Sequence, residues 1–324
     1  LGLGLGLGLG LDLDPVFSYR AYSLKYNPLK GIHTMYTNLS DDNTREIFFD
    51  VTEEEVVGLQ SNQMSPDKKM LLKNGNDYLS IVNRKYRVVT NREILIPLQE
   101  QMINYFDSNV TDDIQIKDTI TGATCLSQYI FPKISREITT TNGHNTTFGL
   151  RYIMKNSFDG SGSVTLYAGM IDFFCTNGMI RGEYDVARRR HTKNFSLDGF
   201  LKIFETSIER FDADMKLYQE YADKKVSSIN VKKLFETLVG TKPEEERKRS
   251  GGLAEKLFAQ YLDEVQDRGS NAFSVMSTLT NFASHDSERF GISKAGDEGT
   301  LFKRQERVSN WMFSKTWEDF LVAA

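Results

Sequence analysis

Two cysteines in 324 residues exclude a disulfide framework of the kind that staples small secreted domains. Cys125 and Cys175 each stand alone, with no Cys-x-x-Cys pair, and four scattered histidines give no metal-ligand spacing. Two reduced, buried thiols are expected. No run approaches the roughly 18 apolar residues of a membrane helix, so no membrane partner is expected. Positive charge is not in excess either. A net charge of -4 and a pI of about 5.7 argue against a uniformly basic nucleic-acid coat, while leaving room for a local basic groove.

Phosphate-binding motifs are also missing. NSFDGSGS (156–163) has closely spaced glycines and hydroxyls, but no Lys follows, as a Walker loop requires. The third Gly of a dinucleotide fingerprint is absent, and the next segment, VTLYAGMIDFF, reads as a strand. The stretch therefore predicts a hairpin turn in which Asp159 and the glycines take left-handed backbone angles. Its hydroxyls could still meet a ligand at the tip.

What is present is a change of period along the chain. LGLGLGLGLGLDLDP (1–15) is low-complexity, without the basic flank of a signal peptide, and receives no function. Residues 16–186 are rich in short extended segments separated by Asn74-Gly75, Asn142-Gly143 and Asn177-Gly178 turns. Within them Tyr86–Val89 reads as a strand, and Asn91 as the cap of a helix beginning near Arg92. Leu126–Ile138 alternates, with Pro132 marking an edge or bulge. Residues 187–324 carry apolar residues at helical spacing, from Ser196, a helix cap, onward. Gly240 is placed as a C-cap, and TKPEEERKRSGG (241–252) as a solvated loop. Strands followed by helices predict one α+β domain over 16–324: a mainly antiparallel sheet with a long β-hairpin, packed with a helical C-terminal part.

Three residue sets bear on chemistry. The first is basic: RGEYDVARRRHTK supplies Arg181, Arg188, Arg189, Arg190 and Lys193, and Lys224 and Lys225 form a weaker cluster with Lys232 and Lys233. The arginine fork matches phosphate oxygens, whereas the bland alternative is a solvated loop paired to nearby acids. The second is acidic: Asp159, Asp172, Glu183 and Asp185 lie in or beside the sheet. There Asp172, between Ile171 and Phe173, is expected on the solvated side. Carboxylates so placed could hold Mg²⁺ for a nuclease, or simply be surface charges. The third is aromatic: Phe48, Phe49, Tyr129, Phe131, Tyr152 and Tyr167 could stack bases if they face outward, though alternation puts half in the core. His285 is read as a helix-end residue. No catalytic residue, metal ligand or cofactor site is assigned.

Three stretches carry a resemblance: YRVVTNREILIPLQEQM (86–102), NSFDGSGSVTLYAGMIDFFCTNGM (156–179) and NAFSVMSTLTNFASHDSER (271–289). In this order they resemble the motif blocks of phage- and plasmid-borne proteins that share a large domain of unknown function. The resemblance implies a cytoplasmic protein of an infected bacterium, in a DNA-metabolism setting. A nucleic-acid-binding protein, with single-stranded DNA as the partner, heads the expectations. Single-strand annealing proteins also back a hairpin sheet with helices and oligomerise, so self-association is expected by that analogy. A metal-dependent nuclease and a protein acting through protein contacts are the alternatives.

Overall fold

The computed structural model describes residues 45–58, 62–173, 178–180, 186–240, 244–289 and 298–324; of these, side chains are not described at 178–180, 186, 201, 205, 244–251, 285–289 and 298–303. Residues 1–15, Cys175, Asn177, Arg181, Glu183 and Asp185, and the side chain of His285, lie outside this set.

Turn chemistry sets the strand layout. β1 (Val51–Val57), β2 (Met64–Lys73) and β3 (Asp77–Asn83) form a three-stranded antiparallel sheet. The β2–β3 turn uses Asn74 (φ 51°) and Gly75 (φ 78°), a pair that tolerates left-handed backbone. The larger sheet contains β4 (Gln115–Thr121), β5 (Thr124–Thr139), β6 (Asn145–Ser157), β7 (Val164–Asp172), β8 (Gly178–Ile180) and β9 (Val186–Arg189). Its order is β4-β5-β6-β7-β8, with β9 also pairing β7, so β8 and β9 share the far edge of β7 end to end. Gly122, Gly143 and Gly160, at φ 56°, 86° and 74°, mark three successive hairpin turns. The register of β5 against β6 slips between Phe131 and Ser135, the segment holding Pro132, which has no N–H to give the ladder.

Among the described residues, eight helices follow or interleave. α1 (Asn91–Tyr105) and α2 (Ser108–Thr111) come before β4; α3 (Leu201–Asp223), α4 (Ser228–Val239), α5 (Glu244–Arg268), α6 (Ala272–Arg289), α7 (Glu298–Met312) and α8 (Lys315–Ala323) fill the C-terminal part. The architecture is α+β, as the change of period predicts. Some boundaries differ from expectation. Thr90, not Asn91, caps α1: its hydroxyl accepts from the Glu93 N–H, and Glu93 accepts from the Thr90 N–H at 2.8 Å. Asn91 is freed to turn inward. Residues 86–90 are irregular rather than a strand. α3 starts at Leu201, because Ser196 bonds Asp198 in a local turn. The charged stretch expected as a loop enters α5 at Glu244; Glu, Lys and Arg are good helix formers without apolar neighbours.

Helices cover both faces of the large sheet. On one face Phe131, Tyr152 and Phe148 meet Phe106, at the end of α1, and Phe204 and Tyr218 of α3, with ring centroids 4.8–5.7 Å apart for the closest pairs. On the other face Leu126, Ile153 and Tyr167 cluster. There α7 supplies Gln305 to Arg151 and Glu306 to Tyr167. The sheet is thus the middle layer of three.

Candidate anion-binding corner

β6 is 13 residues long, and its two ends differ. At the C-terminal end the Ser157–Ser163 turn is locked at its base and open at its tip. Asn156 donates to the Val89 carbonyl (3.0 Å) and to Asn91 Oδ1 (2.9 Å), and Asn91 donates to the Ile47 carbonyl (2.8 Å). Tyr86 donates to the Ser157 carbonyl at 2.7 Å, and Ser80 of β3 donates to the Phe158 carbonyl at 2.5 Å. Beyond this base, Asp159, Gly160 and Ser161 are exposed. Asp159 accepts from the Ser157 hydroxyl and from the Ser161 N–H (2.8 Å). Partial burial would raise its pKa, but these bonds hold it below its ordinary value. NSFDGSGS is therefore a hairpin turn. Among its residues only Gly160 takes a left-handed angle; Asp159 shapes the turn through its side chain instead.

The register brings the basic run to this turn. Val164 pairs Arg189 and Thr165 pairs Arg188, so the chain beyond Arg189 leaves the sheet where the turn enters it. Strand alternation then splits the run. Arg188 shares the Thr165 face and pairs Glu306 of α7 at 3.2 Å, with its side chain 59 % exposed. Arg189 takes the opposite face, over the Phe200 ring at 6.0 Å, in space that a Cβ at Gly199 would fill. Arg190 and Lys193 lie past the strand end, both exposed and with no ion-pair partner among the described residues. Arg188, Arg189 and Arg190 are thus directed to different places. Lys85, also exposed, sits in the turn before Tyr86.

His191 joins the corner together. It is 7 % exposed, stacks on Tyr86 with centroids 4.7 Å apart and planes 20° apart, and accepts at its carbonyl from the Arg87 N–H (3.3 Å). Burial lowers its pKa; the Arg87 backbone and the Asp159 carboxylate act in the other direction. Cys125, fully buried, has its thiol pushed up to about 11 by burial, which makes it an inert packing group.

The other end of β6 is closed. Arg268, 1 % exposed, donates to Asp172 (3.0 Å), to Glu264 (3.0 Å) and to the Ser277 hydroxyl. Asp172 is thus buried and ion-paired, not solvated: α5 and α6 cover the end of β7 that alternation had left outside. Lys224 and Lys225 belong to this end. The Lys224 carbonyl accepts from Ala272, Lys225 bridges Asn271, and Asn142 of the β5–β6 turn bonds the Asp267 carbonyl. Asn145 and Lys155 bracket the span, so these lysines lie roughly 30 Å from the arginine corner at 3.3 Å per strand residue. The basic candidates accordingly form two separate groups.

The same ruler separates the acids. Asp172 pairs with Phe148, while Asp159 lies beyond Ser157, again roughly 30 Å along β6. They cannot share a metal ion. Among the described residues no group of three His, Cys, Asp or Glu is placed to hold one. The base-stacking aromatics are also relocated: Phe48, Phe49, Tyr129, Phe131, Tyr152 and Tyr167 are all buried. Among the described residues the exposed sheet aromatic is Tyr78 of β3, at 64 %, which no sequence motif singles out.

No helix among the described residues is long and apolar enough to cross a membrane. Two of the three motif blocks noted in the sequence interlock here, through Tyr86 with Ser157 and through Val89 and Asn91 with Asn156. No curated protein and no solved structure matches the chain. A family model described as a domain of unknown function, DUF932, matches residues 78–310, from β3 to α7, and the chain belongs to that family.

Proposed function

We propose that the protein binds nucleic acid, single-stranded DNA foremost, in phage- or plasmid-type DNA metabolism, and that it self-associates in doing so. One observation carries the reading: Arg190 and Lys193 stand exposed without a carboxylate partner among the described residues, beside an open turn of glycines and hydroxyls. Cations without an ion-pair partner are available to phosphate. Tyr78, on the sheet that bonds the turn through Ser80, offers a ring on which a base can stack. Titrating a labelled single-stranded oligonucleotide at two salt concentrations, with particle size followed by light scattering, tests this. Affinity at low salt that falls steeply with added salt supports it. Absence of binding at low salt, or unchanged affinity in the Arg190→Ala, Lys193→Ala double variant, sinks it.

A further inference from the structure

Within the described part of the basic segment, His191 is the one side chain that points inward without a bond. Both ring nitrogens are buried and neither makes a hydrogen bond of good geometry among the described residues, although the Arg87 backbone lies close enough to act on the ring. A buried polar atom left unpaired costs stability, so its retention calls for a partner that arrives later. The groups facing it are few. Tyr86 covers one side of the ring as a neutral phenol, its own pKa raised by burial and by Asp159. The hairpin presents Asp159, whose charge is already engaged by Ser157 and Ser161. Arg87 offers its backbone, its guanidinium being held by Glu93 at 3.2 Å and the Phe195 carbonyl at 3.4 Å. Arg190 and Lys193 flank it in the chain. The turn that carries it is held by short local bonds, Thr192 N–H to Arg190 O (2.9 Å) and Phe195 N–H to Thr192 O (3.0 Å).

We propose that the corner bounded by Tyr86, the Ser157–Ser163 turn and the Arg190–Lys193 turn is a phosphate subsite in which His191 takes up a solvent proton as the anion enters. It rests on the nucleic-acid reading above and adds a linkage to it. The proton goes to an imidazole nitrogen, and the resulting N–H donates to a phosphate oxygen; no covalent bond is made or broken. Arg190 and Lys193 supply the remaining charge. In the free protein burial keeps the imidazole neutral below its ordinary pKa of 6.5, and a bound phosphate raises that pKa. Affinity is then flat at pH values above the bound-state pKa, rises as pH falls through it, and levels off below the free-state pKa.

The probe is an unphosphorylated oligothymidine, whose bases and phosphodiesters do not titrate between about pH 5.5 and 7.5, a range in which histidine does. At constant ionic strength, affinity should rise several-fold across this range, at most about tenfold per pH unit for one proton. His191→Phe keeps a ring on Tyr86 and should lose the pH slope across this range. An equal slope in both proteins, or none in the wild type, overturns the proposal while leaving nucleic-acid binding standing. If oligothymidine does not bind at all, the nucleic-acid reading falls. The subsite is then read separately with sulfate, which does not titrate, by NMR of histidine-labelled protein. A His191 resonance moving toward the imidazolium position upholds the subsite, and an unmoved one overturns it.

Discussion

The two ends of β6 use the same materials to opposite ends. Each has a tight hairpin turn with a left-handed glycine, Gly143 at one end and Gly160 at the other, and each has basic residues close by. At the Gly143 end the central arginine is sealed in. Arg268 is 1 % exposed, and Asp172, Glu264 and Ser277 satisfy it. At the Gly160 end the hairpin base is sealed by Asn156, Tyr86 and Ser80, yet Arg190 and Lys193 project outward, unpaired among the described residues. A charge buried with its partners holds two elements in register; a charge left outside is free to meet an anion. The difference lies in which helices cap each end: α5 and α6 close over β7 at Asp172, and nothing among the described residues closes over Arg190.

Breaking the sealed end should produce the largest effect. Arg268→Ala leaves Asp172 and Glu264 buried without their cation, a loss of about 3–5 kcal/mol, measured by urea unfolding. The double variant Arg268→Met, Asp172→Asn should recover part of that loss, because only Glu264 is then left without its cation. If Arg268→Ala unfolds with the wild-type midpoint, the buried pair is not what ties β7 to α5. Next comes the notch that holds Arg189. Gly199→Ala should displace the end of the flexible Arg189 side chain and cost under about 1 kcal/mol, and Arg189→Ala combined with Gly199→Ala should remove the overlap.

The open end should behave in reverse. Arg190→Ala with Lys193→Ala should leave stability within about 0.5 kcal/mol of the wild type, as surface changes do. Single-strand affinity should fall at least tenfold, with the slope of log affinity against log salt reduced by about 1.4, or 0.7 for each phosphate no longer neutralised. Tyr78→Ala should lower affinity by about 1–3 kcal/mol through the missing stack, with the salt slope unchanged. The smallest effect belongs to Asp159. Its native pKa lies below its ordinary value of 3.8, so its contribution is present above that value and is lost as pH falls through the native pKa. Asp159→Asn should cost under about 1 kcal/mol at neutral pH, and nothing in strong acid, since the group is largely exposed. A constant difference between the two proteins across the acid limb would contradict that assignment.

Much of the fold was legible because turns carry their chemistry locally. Asn74-Gly75, Asn142-Gly143, the Gly160 turn and the Pro132 irregularity all stand where their residue types require. Facing was harder to read. Alternation says which residues share a face, but not whether that face is covered, and here helices cover both. Hence Asp172, expected outside, and the sheet aromatics, half of them expected outside, are all inside. Arg188, Arg189 and Arg190 look like one unit in the sequence and become three, because a strand sends neighbours to opposite faces and then ends. Lys224 and Lys225 read as a second, weaker basic cluster in the sequence, and the long hairpin places them at its far end. His191 and Tyr86 lie far apart in the chain, and their stack follows from tertiary packing that no local pattern encodes.

One measurement bears most directly on the contrast between the ends: single-stranded DNA affinity at two salt concentrations for the wild type, Arg190→Ala/Lys193→Ala and Lys224→Ala/Lys225→Ala. The open corner predicts salt-sensitive binding that collapses in the first variant and is retained in the second. Equal losses in both variants, or a loss only in the second, would contradict it.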